Sequence, residues 1–160
     1  MKKLVIFTLL ALTIVLIAGC TEDKGEEVIT PGMQIANPFT DEESLLAVQE
    51  KAGFELTLPE NFNGCVSYHY RAMADQMIEI ICLDGNGNET ARIRKAVGSD
   101  PISGDYNEYA DIKEDGSLTI KGNDGKYSVA EWTEGNYSYA ITVETPVSLE
   151  KMKELKALIR

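Results

Sequence analysis

Between Cys65 and Val143 apolar side chains recur at every second position in several short runs, and outside that stretch their spacing lengthens to three and four. The runs "CVSYHYRAM", "MIEIICL" and "ETARIRKAV" are rich in aromatic and β-branched residues. Short polar breaks separate them, so they predict three strands. The segment "SLTIKGNDGKYSVAEWTEGNYSYAITV" predicts three more, folded as two hairpins. In the second hairpin a two-residue loop, Glu134-Gly135, pairs Trp132 with Tyr137 and Ala130 with Tyr139. The first hairpin offers two registers. A two-residue turn sends Leu118 and Ile120 to the face away from Trp132. A three-residue loop, Asn123-Asp124-Gly125 with a left-handed glycine, brings them to the Trp132 face. A single apolar face requires the second.

Two segments carry helical spacing. In "NPFTDEESLLAVQEKAGF" Thr40 is the predicted N-cap, with Glu43 three residues on as in a capping box. Asp41, Glu42 and Glu43 suit the positive end of the helix dipole. Leu45, Val48 and Ala52 share a face, Gly53 stops the helix, and Phe54 folds back onto it. In "VSLEKMKELKALIR" Ser148 is the predicted N-cap, and Val147 and Met152 form a hydrophobic staple. Leu149, Met152, Leu155, Leu158 and Ile159 form its apolar stripe. The expected fold is α+β, an antiparallel sheet of about six or seven strands with an N-terminal and a C-terminal helix packed on it.

The first residues follow a different logic. Lys2 and Lys3 precede an uncharged apolar run, Leu4 to Ile17. That run is short for a spanning helix, which needs roughly 18–20 apolar residues, and fits a secretory signal. The following Ile17-Ala18-Gly19-Cys20 resembles the bacterial lipobox, whose cysteine is lipidated and becomes the new N-terminus. Residues 1–19 are thus expected to be a lipoprotein signal peptide. Residues 20–35 are expected to be the lipidated Cys20 with a flexible acidic tether, and residues 36–160 a single α+β domain. The tether is charged and broken by Pro31-Gly32, and at about 3.3 Å per extended residue it reaches roughly 45 Å. The expected location is the extracytoplasmic face of the cell membrane, reached through the N-terminal lipid. Two or more acyl chains hold stably where one does not.

Charge narrows the partners. Without residues 1–19 the chain keeps 26 acidic and 13 basic side chains (15 less Lys2 and Lys3), a formal charge of −13. Such a surface repels nucleic acid and anionic headgroups, so nucleic acid is excluded as an expected partner.

The runs "ANPFTDEESLLAVQEKAGFELTLPE", "IRKAVGSDPISGDYN" and "LTIKGNDGKYSVAEWTEGNYSYAITVETPVSLEKMKEL" resemble the domain-of-unknown-function family 4367 of Gram-positive secreted and lipoprotein domains. The resembling feature is a W-x-x-G-x-x-Y hairpin followed by a short helix, here Trp132, Gly135 and the Tyr137 to Tyr139 segment, with slightly different spacing. The resemblance implies an extracytoplasmic binding or regulatory module and supplies no catalytic residues.

Motifs for chemistry are sparse. In "CLDGNGNETARI", Asp84, Asn86 and Asn88 alternate as in a calcium loop. Counted from Asp84, however, the sixth and twelfth positions hold Glu89 and Lys95, not glycine and a bidentate glutamate. Asp-Gly and Asn-Gly make it a turn. His69 is the single histidine and reads as a strand residue on the more polar face. No nucleophile motif, metal motif or phosphate loop is present in the sequence, so no catalytic residue, metal or cofactor is expected. Cys65 and Cys82 fall on neighbouring predicted strands, and a four-residue loop, Ala72 to Asp75, places them opposite each other. They form a disulfide in an oxidising compartment or remain two buried small hydrophobes. Arg92, Arg94 and Lys95 form the one basic cluster, either paired with Glu79 or open to an anion.

The longest break between predicted strands is "GSDPISGDYNEY", with Ile102, Tyr106 and Tyr109 as candidate partner-binding residues. The rival expectation is that they fold inward and latch the loop to the sheet. The functional expectation is a lipid-anchored, non-enzymatic extracytoplasmic binding or regulatory module for an envelope protein or other component. The alternatives are a small envelope hydrolase using carboxylates, or a structural accessory subunit of a membrane complex.

Overall fold

The computed structural model describes residues 37–160. Its elements are β1 (Thr40–Glu42), α1 (Leu45–Ala52), β2 (Ser67–Met73), β3 (Met77–Leu83), β4 (Glu89–Val97), β5 (Asp111–Asp115), β6 (Leu118–Asn123), β7 (Lys126–Glu134), β8 (Tyr137–Val147) and α2 (Leu149–Ala157). All eight strands form one antiparallel sheet in the order β1-β2-β3-β4-β8-β7-β6-β5. The count exceeds the six or seven expected, because the sheet gains a short strand at each edge.

At one edge Thr40 pairs with Ala72 in β1 instead of capping a helix. The cap is Ser44, whose hydroxyl accepts from the Ala47 amide at 3.2 Å. At the other edge is β5, whose "DIKED" sequence carries no apolar alternation and whose side chains are mostly exposed. Charged residues on an exposed edge also discourage another strand from adding there. Gly53 does end α1, with φ +77 and its amide on the Gln49 carbonyl.

Both hairpin registers differ from expectation. The β7–β8 loop is Gly135-Asn136, so Trp132 lies opposite Tyr139 and Ala130 opposite Ile141. The Trp132 and Tyr139 rings stack with centroids 5.1 Å apart. The β6–β7 turn has two residues, Asp124 and Gly125, both left-handed as a primed turn requires. That turn alone would flip Leu118 and Ile120 off the Trp132 face. A bulge at Ser128, between Tyr127 and Val129, restores them, so Ile120 pairs with Ala130. Gly122 lies where the strands close on this bulge, and a Cβ there would collide with the Lys126 carbonyl.

Alternation gives the sheet two unlike faces. One face carries Ile78, Ile80, Ile93, Ile141 and Trp132, buried in a cluster with Val48 and Ala52 of α1 and Met152 and Leu155 of α2. Ser148 caps α2 by accepting from the Lys151 amide, and Leu158 stays exposed, so the buried stripe of that segment is Met152, Leu155 and Ile159. The other face carries Arg71, Glu79, Arg94 and Glu131. Because β4 and β5 are sequential yet separated by β8, β7 and β6, residues 98–110 must travel roughly 19 Å across strand spacings. They cross as a strap over the polar face, as the contacts below establish. None of the helices among the described residues is long and apolar enough to cross a membrane.

Candidate functional site

The polar face is organised around one carboxylate. Glu79 is 0% exposed, flanked in sequence by Ile78 and Ile80 and in register by Arg71 and Arg94. Arg71 donates to its Oε1 at 2.9 Å, while Arg94 donates to Oε2 through Nε at 2.7 Å and lies 2.6 Å away through Nη2. Arg92 adds a longer contact of 3.4 Å. A buried carboxylate is retained only where such charge-assisted bonds satisfy it. The sequence-predicted pairing of Glu79 with Arg92 and Arg94 is thus present. Arg71 was missed, although the alternation of "SYHYRAM" put it on the same face.

Lys95 does not belong to that cluster. Strand alternation turns it to the apolar face, where Nζ donates to the Glu55 carbonyl at 2.6 Å. The Phe54, Tyr137 and Tyr139 rings surround it at 5.6, 4.6 and 5.1 Å. Burial lowers its pKa from the ordinary lysine value.

Arg94 also reaches the strap, donating from Nη1 to the Ile102 carbonyl at 2.9 Å. Gly104, with φ +66, lies against the same guanidinium, and a Cβ there would collide with Nη1. A second pin is the buried Glu131, which accepts from the Ser103 amide at 3.0 Å and pairs with Lys121. Burial pushes the Glu131 pKa up, but hydrogen bonds from Lys121 and Ser103 outweigh it and leave the carboxyl below its ordinary value. A third contact joins the Ser138 hydroxyl to the Gly98 carbonyl at 3.1 Å.

Between the strap and β4, β7 and β8 lies an open cleft of about 560 Å³. Glu89, Arg92, Ser128, Thr142 and Glu144 line its sheet side, and Asp105, Tyr106, Asn107 and Tyr109 its strap side. Arg92 grips Glu89 through Nε and Nη2 at 2.9 and 2.7 Å, a pairing that raises its pKa. Asp105 accepts from the Asn107 amide and the Tyr109 hydroxyl, each at 2.8 Å. Burial, then the Asp105 contact, raises the Tyr109 pKa.

The three residues assigned to the loop do not act together. Tyr106 is 96% exposed, whereas Tyr109 folds back onto Asp105 and Ile102 is half-buried beside the Arg94 pin. The inward and outward readings each hold for part of the loop. Sequence reasoning missed Asp105 and Asn107 on the strap and, Arg92 excepted, the residues of the sheet side, the latter because only the crossover brings them beneath the strap.

Cys65 and Cys82 are bonded, with Cα atoms 5.3 Å apart. They are not opposed across a four-residue loop, since Cys82 pairs with Tyr68 and the β2–β3 turn is Ala74 to Gln76. A turn through left-handed Asn63 and Gly64, closed by the Cys65 amide on the Phe62 carbonyl, returns Cys65 to Cys82. The Asp84–Asn88 segment is closed by the Asp84 amide on the Asn88 carbonyl at 2.9 Å. The Asp84 carboxylate accepts from the Asn88 and Asn86 amides, which lowers its pKa and directs its oxygens into the turn. Among the described residues no three His, Cys, Asp or Glu side chains converge for a metal. His69 meets exposed Asp41 at 3.1 Å. Cys20 and the tether lie outside the described residues. No family model, curated protein or solved structure matches the chain.

Proposed function

We propose that this chain is a lipid-anchored, extracytoplasmic binding module whose recognition surface is the strap cleft. One observation carries the reading: a concave site of about 560 Å³ combines pinned polar groups with a tyrosine, Tyr106, left almost wholly in solvent. Concave sites with a few fixed polar groups are the usual form of a ligand site. Exposed tyrosines are frequent anchors of recognition. The lipid anchor at Cys20, and placement in family 4367 on the Trp132 hairpin and following helix, belong to the same proposal.

A hydrolase reading would use Glu89, Asp105 and Glu144, which share the cleft. Both oxygens of Glu89 are bound by Arg92, and both of Asp105 by strap donors, which favours holding over proton transfer. The test is a photo-crosslinker in place of Tyr106 in the full-length protein in its own cells. A discrete adduct, lost when Gly104→Val displaces the strap, supports the module. Crosslinking no greater than from a label at exposed Lys113 rejects it. In parallel, Cys20→Ala is expected to end lipid labelling, and continued partitioning as an acylated species would sink the anchor.

A further inference from the structure

We infer that the cleft takes an uncharged saccharide unit, an inference that rests on the cleft being the binding surface. The cleft's charges are already engaged. Arg92 gives three of its five donors to Glu89 and Glu79, so its charge is compensated by two carboxylates and its remaining N–H groups suit a neutral acceptor such as a hydroxyl better than a phosphate or carboxylate. Glu89 and Asp105 each have both oxygens occupied once, so neither is a bare counter-ion awaiting a lysine. An ionised carboxylate still has about four acceptor positions, so each retains room for a hydroxyl donor.

The neighbouring Ser128, Thr142 and Asn107 side chains both donate and accept. A ligand that satisfies such a surface must itself donate and accept at several adjacent atoms, which is the chemistry of vicinal hydroxyls. Tyr106 supplies what the polar groups lack. Its ring stands at the cleft, 96% exposed, and a sugar's C–H face covers such a ring while its hydroxyls reach the polar wall. The acidic balance of the chain, 26 Asp and Glu against 15 Lys and Arg, disfavours phosphate-linked or other anionic glycans.

The full-length protein in detergent is presented to immobilised oligosaccharides of three kinds, neutral, amino-bearing and phosphorylated, and to a lysine-rich peptide. The expected result is retention on neutral sugars and weaker retention on amino-bearing and phosphorylated ones. Tyr106→Ala is expected to weaken that retention about tenfold, and Tyr106→Trp to restore it. Failure to retain any saccharide overturns the inference, as does retention indifferent to Tyr106→Ala or binding of the lysine-rich peptide alone. If saccharides fail while the in-cell adduct from position 106 persists, the cleft remains a binding surface and only the ligand class is wrong. Loss of both removes the binding reading as well.

Discussion

Two adjacent rows of residues cross the same six strands and do opposite things. One row runs Tyr70, Ile80, Ile93, Ile141, Ala130 and Ile120; the next runs Arg71, Glu79, Arg94, Ala140, Glu131 and Thr119. The first row is held by area removed from water, so similar apolar side chains can exchange places at modest cost. The second is held by named partners, since Glu79 requires Arg71 and Arg94, and Glu131 requires Lys121 and the strap amide. The apolar row gives the sheet its stability. The charged row determines where residues 98–110 lie, and thereby shapes the cleft.

Substitution at the centre of each row tests this contrast most severely. Ile80→Ala is expected to cost about 2–5 kcal/mol by cavity formation. Glu79→Ala is expected to cost about 3–5 kcal/mol, because it leaves the guanidiniums of Arg71 and Arg94 half-buried and facing each other. Urea denaturation reads both. The triple change Arg71→Met, Glu79→Leu and Arg94→Met should recover most of the stability while freeing the strap, visible as faster amide exchange at Ser103. A loss below about 1 kcal/mol for Glu79→Ala would show that the charged row is incidental.

Gly104→Ala probes the contact between the second row and the strap. Alanine must accept φ +66 and displace the Arg94 guanidinium, so a loss of about 1–3 kcal/mol is expected. Exchange at the strap should quicken more than exchange in β3. Equal quickening throughout would mean that the strap is not a separate unit.

Part of the apolar face was legible in sequence. Period-two alternation needs only local information, and with the demand for one apolar face it placed Leu118 and Ile120 on the side of Trp132, though through a three-residue loop where the chain uses a bulge. Gly53 and Ser148 were legible for the same reason, since caps act within one turn. The bulge at Ser128 was not, because nothing in "KYSVAEW" marks the extra residue; only pairing with both neighbours does. Nor was β5 legible, since "DIKED" is exposed and carries no pattern. The cleft depends on β8 returning beside β4, a long-range choice that no local spacing encodes. Hence Thr142 and Glu144 went unnoticed.

Acid should separate the rows by a smaller margin. The folded Glu131 carboxyl titrates below its ordinary value, so the folded state binds that proton less readily than the unfolded chain does. Its stabilisation is present above the ordinary carboxylate range and is lost as pH falls through the lowered folded value. Glu131→Gln is expected to cost about 1–3 kcal/mol at pH 7 and to flatten the decline in stability below about pH 4.5. Parallel declines in wild type and variant would assign the acid sensitivity to other carboxylates.

The smallest expected effect divides the strap itself. Tyr106 and Tyr109 are three residues apart, and residues 98–110 have to span the sheet whether or not they bind anything. Tyr109 helps to hold the strap in shape, since its hydroxyl donates to Asp105 at 2.8 Å and its ring is half-buried. Tyr109→Ala is therefore expected to cost about 2 kcal/mol, roughly half a fully buried aromatic truncation. Tyr109→Phe, which removes only the hydrogen bond, should cost about 1 kcal/mol. Tyr106 is almost wholly in solvent, and Tyr106→Ala should stay within about 0.5 kcal/mol of wild type, as at ordinary surface sites. A chain gains nothing in stability from a large ring held in water, so a neutral melt combined with lost crosslinking and saccharide retention would identify Tyr106 as a recognition residue. A loss of about 2 kcal/mol or more at Tyr106, equal to that at Tyr109, would instead mean that both tyrosines brace the strap.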